Sequence, residues 1–222
     1  MTEENKEINP KLKYNLILIG DMGVGKTTLF NKIIYDKFVE NTTTTIKPEA
    51  KSIPNLDNEH AELVLVDTPG VEKYKDIFKN TYKESDAALV LYDVTNEESF
   101  KNMDECIGYI NNCIEDEDKE TYVYFLLGTK SDLLSENGFE RKIQIDDVEL
   151  KCKNTKNMKL IGEISSKNSI KEIKEIINFN EILETIHKKR KNKKPKNISI
   201  RKNFPKNPSE KEKKKNKCCG CF

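Results

Sequence analysis

The sequence has no apolar run of 18 residues, so no transmembrane helix is expected. Its opening stretch, MTEENKEINP, contains no hydrophobic segment, and no secretory leader is expected. Residue 2 is threonine rather than glycine, which excludes N-myristoylation. Without a leader, the six cysteines are not expected to form a disulfide framework. Cys106, Cys113 and Cys152 are scattered and read as ordinary buried or half-buried thiols, whereas Cys218, Cys219 and Cys221 crowd the extreme end. No internal repeat is visible.

What is present is charge. Charged residues make up 35% of the 222 positions and hydrophobic ones 36%, which suits one α/β domain with a solvated extension. The net charge of +1 hides an asymmetry. Between Lys188 and Lys217 fifteen Lys/Arg stand against two Glu, a local balance of +13 that leaves the rest at −12. An acidic body with a basic tail suits an anionic surface, either lipid headgroups or nucleic acid. No aromatic stacking platform accompanies the lysines, so no nucleic-acid partner is expected. The division reads as a flexible segment over 1–13, a domain over 14–190 and a disordered basic tail over 191–222.

Hydrophobic patterning organises the domain. YNLILIG (14–20), AELVLVD (61–67), ALVLYDV (88–94), YVYFLLG (122–128) and KLIGEIS (159–165) read as strands. AKSIPNL (50–56) would pair with AELVLVD as a hairpin, and Pro54 puts it at a sheet edge. TLFNKIIYDKF, ESFKNMDECIGYINNCI and SIKEIKEIINFNEILETIHKK have helical spacing. Residues 39–48 read as a loop, and 136–158 as a loop with a short helix around Asp146–Cys152. Strands alternating with helices predict a mostly parallel sheet covered on both faces.

GDMGVGKT, residues 20–27, fits G-x-x-x-x-G-K-[ST] between the first strand and the first helix, the context this phosphate loop needs. Glycines let the backbone close around oxyanions with its amides inward, and the helix N-terminus adds its positive end. The predicted phosphate cradle is Gly20, Asp21, Gly23, Val24, Gly25, Lys26, Thr27 and Thr28. Lys26 would reach the terminal phosphates, and the Thr27 hydroxyl would ligate Mg²⁺. TKSD (129–132) follows the strand YVYFLLG, at the end where open α/β sheets bind ligands. Asp132 can accept two hydrogen bonds from guanine N1–H and its exocyclic amine, and adenine offers no such pair. The Lys130 stem would lie along the base, with Ser165, Ser166 and Lys167 behind it.

GDMGVGKT, Thr45, DTPG, TKSD and ISSK, in this order and spacing, make the chain similar to Ras-superfamily small GTPases, nearest the Rab-like and Ras-like branches. LVLYDVTNEESF (89–100) is also close to the Rab-like form. The resemblance covers about 14–187 and implies a P-loop NTPase fold, with a six-stranded mostly parallel sheet and five helices. It implies GTP and GDP as ligands and Mg²⁺ as cofactor. It gives Phe38 and Thr129 to the guanine site, and Thr45 and Asp67 (the latter through water) to the metal. Lys26, Thr45 and Gly70 would serve the γ-phosphate.

Four positions depart from the family pattern. Met22 stands where a glycine or small residue borders the γ-phosphate, and Lys47 replaces a glycine. Ala50 replaces a large apolar residue of the effector surface, and Val71 replaces the water-orienting glutamine. Valine has no hydrogen-bonding side chain, so slow intrinsic hydrolysis is expected. Hydrophobic residues after DTPG also occur in Era-like GTPases, which offers an RNA- or ribosome-associated alternative. A scaffold that binds GTP without useful hydrolysis is another.

The tail resembles Rab endings with paired cysteines, which imply geranylgeranyl groups on Cys218 and Cys219. Cys219–Phe222 also fits a C-a-a-X box, and Cys221 stays open. Two lipid chains, or one chain plus a polybasic patch, suffice for stable anchoring. The expected protein is a monomeric switch on the cytoplasmic face of an intracellular membrane, with a cytosolic pool. Its partners would be effectors, an exchange factor and a GTPase-activating protein, in vesicle and protein transport.

Overall fold

A computed structural model describes residues 11–40, 42–54, 56, 61–70, 76–136 and 138–191. Val71, Cys218, Cys219 and Cys221 lie outside them, as do residues 1–10 and all of the tail beyond Lys191. Among the described residues six strands are formed: β1 (Leu12–Ile19), β2 (Glu49–Ser52), β3 (Ala61–Asp67), β4 (Ala87–Asp93), β5 (Val123–Thr129) and β6 (Met158–Glu163). They make one sheet in the order β2-β3-β1-β4-β5-β6. Only β2 runs antiparallel, pairing Ala50 with Val66 and Ser52 with Val64. The expected six-stranded, mostly parallel sheet is present. β1 starts at Leu12, two residues before the expected boundary, where Lys13 stands opposite Glu62 and pairs with it at 3.1 Å.

The helical segments are α1 (Lys26–Tyr35), α2 (Lys79–Lys83), α3 (Glu97–Lys101), α4 (Met103–Cys113), α5 (Asp116–Lys119), α6 (Ile145–Asn154), α7 (Ile170–Ile177) and α8 (Phe179–Arg190). α3 with α4, and α7 with α8, occupy the two long segments read as single helices. With α1, α2 and α6 they account for five helices, and α5 is one extra turn. The second pair breaks at Asn178, whose φ of 43° is left-handed and whose side chain caps α8 by accepting the Glu181 amide at 3.3 Å.

Strand alternation divides the core. Leu16, Leu18, Leu63, Leu89, Leu91 and Phe125 face α1, α7 and α8, where they meet Leu29, Ile33, Ile173, Ile182 and Ile186. Ile17, Val66, Val90, Tyr92 and Leu126 point to the other face and meet Met103, Ile107, Ile110 and Val148 of α4 and α6. β4 and β5 are buried at every position, as continuous apolar runs in a parallel sheet covered on both sides should be. Truncating any of these leucines to alanine should cost about 2–5 kcal/mol. The rigid sheet presents the C-terminal ends of β1, β4, β5 and β6 along one edge, and the loops leaving them carry the predicted site.

Candidate functional site

The turn after β1 is a tight backbone cradle. Gly20, Gly23 and Gly25 all have positive φ. A Cβ on Gly20 would sit 2.4 Å from the Leu91 carbonyl oxygen, so only glycine lets the loop pass this close to β4. Gly25 caps α1, whose first turn holds no acidic residue of its own to offset the partial positive charge of the helix end. Lys26 is buried, and its Nζ donates to the Gly20 carbonyl at 2.8 Å and the Asp21 carbonyl at 2.6 Å. The loop therefore folds around the lysine. A cleft of about 400 Å³ opens here, lined by Met22, Gly23, Lys26, Thr27, Thr45 and Gly70 among others. Gly70 comes so close that a Cβ on it would lie 2.7 Å from Lys26 Nζ. Met22 overhangs the cleft and is 64% exposed.

Asp21 behaves differently from its neighbours. It lines neither this cleft nor the one beside it. Its carboxylate accepts the Met22 amide at 2.7 Å and the Asn102 amide group at 2.9 Å. Only its carbonyl serves the cradle, so it shapes the loop from behind.

Thr27, Thr45 and Asp67 converge from α1, the 42–48 loop and the end of β3. Thr27 Oγ1 donates to Asp67 Oδ2 at 2.7 Å and lies 2.5 Å from Thr45 Oγ1. Thr45 Oγ1 also lies 3.5 Å from Asp67 Oδ2 as a donor, so both hydroxyls converge on the same carboxylate oxygen. Asp67 is buried, and its Oδ1 has no hydrogen-bond partner. Burial pushes its carboxyl above the usual carboxylate range, against the pull of the Thr27 hydroxyl and the Lys26 ammonium. A buried carboxylate oxygen without a partner, beside two hydroxyls, fits a hard cation with oxygen ligands. Among the described residues no group of three His, Cys, Asp or Glu side chains converges, so such a site would rely on hydroxyl oxygens.

A second lobe of about 230 Å³ adjoins the first and shares Gly25, Thr28, Glu40 and Lys130 with it. Its walls include Val24, Phe38, Thr129, Asp132, Ser165, Ser166 and Lys167. The expected base-site residues are thus brought together, though not in equivalent roles. Phe38 is 41% exposed, so it flanks the lobe rather than joining the core. Thr129 is buried, and its single hydroxyl proton is shared by the carbonyls of Val24 at 2.7 Å and Tyr92 at 2.9 Å. That hydroxyl ties β5 to the cradle and leaves no proton for a ligand. Burial alone would raise the Asp132 carboxyl, but the Ser165 hydroxyl and the Lys167 ammonium hold it below the usual range. Asp132 is therefore a ready acceptor.

Three contacts escaped the sequence reading. Lys130, in left-handed conformation, pairs through Nζ with Asp93 at 2.7 Å, which fixes its stem beside the lobe. Thr68 Oγ1 donates to the Leu18 carbonyl at 2.7 Å and pins the DTPG turn to β1. Arg141 grips Glu163 through two bonds of 2.7 Å. Only Asp93 carried a signal, as an acid ending the apolar run ALVLYD.

Comparison with known proteins agrees with this geometry. Residues 15–188 match the profile of the Ras family. The chain is 33% identical over 181 residues to "Ras-related protein RabN1" of Dictyostelium discoideum, covering 77% of this chain and 81% of that protein. It is 35% identical over 134 residues to "GTP-binding protein YPT52" of Saccharomyces cerevisiae, covering 56% of each. With "Ras-related protein Rab-7a" of Paramecium octaurelia it shares 29% over 161 residues, 72% of this chain and 75% of that one.

Proposed function

The chain belongs to the Ras family as a divergent, Rab-like small GTPase, and from that premise we propose a membrane-anchored GTP switch whose own hydrolysis is slow. The observation that carries the reading is the convergence of Thr27, Thr45 and Asp67 at one point beside Lys26 and Gly70. A helix start, a surface loop and a strand end meet where a triphosphate and its metal would lie. Occupancy there can therefore order or release the loop, which is what a switch needs.

The geometry supports the following roles. Amides of the cradle and the α1 N-terminus would hold the phosphates, and Lys26 would move from its two carbonyls to the terminal oxygens. Thr27 and Thr45 would ligate Mg²⁺ directly and Asp67 through water; when bound, the ion supplies charge that offsets the phosphates. The Gly70 amide would meet the γ-phosphate. Asp132 would accept from guanine, with Ser165, Ser166, Lys167, Lys130 and Phe38 enclosing the base.

Slow turnover rests on two positions. Val71 supplies no side-chain group to orient water, and Met22 occupies space beside the γ-phosphate. The basic tail and Cys218, Cys219 and Cys221 would carry the lipid anchor on the cytoplasmic face of an intracellular membrane. There the GTP form would recruit effectors in vesicle transport, under an exchange factor and a GTPase-activating protein.

Single-turnover hydrolysis of preloaded GTP tests the switch. The wild-type rate should fall below the intrinsic Ras value of roughly 3–5 × 10⁻⁴ s⁻¹, and Val71→Gln should raise it. A wild-type rate equal to that of a glutamine-bearing relative would refute the slow-timer reading. Stable GTP binding with no turnover in either protein would favour a scaffold.

A further inference from the structure

Glu136 belongs to none of the sequence motifs. It follows the 3₁₀ turn Ser131–Ser135, which carries Asp132. The Lys167 ammonium lies between the two acids, 2.9 Å from Asp132 Oδ2 and 3.4 Å from Glu136 Oε1. One cation is thus shared by the carboxylate that faces the base lobe and by one outside that lobe.

The segment bearing Glu136 is fixed independently of Lys167. Before it, Lys130 is paired with Asp93. After it, Arg141 grips Glu163, whose carboxylate also accepts the Tyr92 hydroxyl at 3.4 Å. The Glu136 amide donates to the Leu133 carbonyl at 3.0 Å, and its own carbonyl accepts from Phe139 at 3.3 Å. The carboxylate is therefore presented to Lys167 by a framework.

We propose that Glu136 is a positioning residue for nucleotide retention, which it sets by competing with Asp132 for Lys167. The proposal rests on the guanine reading given above. Guanine N1–H and the exocyclic amine need both Asp132 oxygens, and an ammonium on Oδ2 is in their way. Glu136 lets Lys167 vacate Asp132 without losing an anionic partner, and keeps its aliphatic stem against the base. Removing the Glu136 charge leaves Lys167 to fall back on Asp132, which favours the empty site.

The test is release of a fluorescent ribose-labelled GDP from the full chain, in Mg²⁺ and chased with excess GDP. Both side chains of the pair are partly exposed, so the effect is modest: Glu136→Gln should speed release about two- to fivefold. The acceleration should vanish in a Lys167→Ala background, while melting temperature stays at the wild-type value. Unchanged release in Glu136→Gln overturns the proposal. So does an equal acceleration with and without Lys167, because that pattern belongs to a distant charge acting on the phosphates. Asp132→Asn, run alongside, tests the underlying reading separately: it should lose GDP and prefer xanthosine diphosphate. Retention of GDP there would defeat the base assignment itself.

Discussion

Arg190 is the last residue of α8, and its substitution by methionine should be among the most damaging changes outside the nucleotide site. Its side chain is 1% exposed. Nη2 donates to Asp118 Oδ1 at 3.2 Å, and Nη1 lies 3.0 Å from Asp86 Oδ1 as an ion pair off the hydrogen-bond line. Asp86 precedes β4, and its other oxygen accepts the Asn15 amide of β1 at 2.8 Å. One guanidinium thus ties the end of the last helix to α5 and to the entry of β4, and through Asp86 to Asn15 within β1. Methionine keeps much of the length and loses the charge, removing the Arg190 ion pairs to the buried Asp86 and Asp118. Breaking a buried ion pair in this way costs about 3–5 kcal/mol. For a domain of this size each kcal/mol is worth roughly 2–4 °C, so the midpoint should fall by about 6–20 °C. The assay is thermal and urea unfolding at saturating GDP in both proteins, since bound ligand itself shifts the midpoint. Adding Asp86→Asn and Asp118→Asn to Arg190→Met should recover much of the loss, because the two buried side chains facing position 190 are then neutral. A single variant within about 1 kcal/mol of wild type would refute the reasoning. So would a triple variant as unstable as the single one.

Asp67 gives a pH dependence of definite sign. Its carboxyl is raised by burial, so the empty fold favours the protonated form; that contribution is complete below the unfolded value and lost as pH rises through the folded one. In EDTA and without nucleotide, Asp67→Asn should therefore raise the melting temperature at pH 7.5. The gain should shrink as pH falls towards the ordinary aspartate range near ~4; a gain independent of pH would contradict it. For the tail, the double change Cys218→Ser and Cys219→Ser should move the expressed protein from membrane to soluble fractions. Undiminished sedimentation with membranes would defeat the anchor.

The backbone cradle after β1 was legible because its requirements are local. Glycines at fixed offsets, a lysine and a hydroxyl between strand and helix leave few other structures for GDMGVGKT. The base lobe was legible as a set, since parallel strands deliver their following loops to one edge. Division of labour inside that set was not. Nothing in TKSD shows that the Thr129 proton is spent on Val24 and Tyr92, because both carbonyls come from other elements. The break at Asn178 was hidden for another reason. Isoleucine spacing runs on across it, and asparagine in left-handed conformation interrupts the backbone without interrupting the pattern. Residue 116–119 helicity was invisible because EDEDKE carries no apolar period. Glu136 and Arg141 could not be found at all from sequence, since their partners lie 31 and 22 residues away.

If the switch is anchored as proposed, the sheet's direction sets where the anchor starts. Gly20, Lys130 and Ser165 follow the C-terminal ends of β1, β5 and β6, whereas Arg190 is clamped to Asp86 at the opposite end of β4. β4 has seven residues, which at about 3.3 Å each separates the two ends by roughly 20 Å. A tail leaving from Lys191 therefore starts at the edge of the sheet remote from the nucleotide. Loop 42–46, which lines the cleft through Thr42–Thr45 and exposes Ile46, stands near the other edge. In the proposed switch the anchor would start away from the readout loop, so Arg190→Met should destabilise the domain yet leave nucleotide release from the folded fraction unchanged.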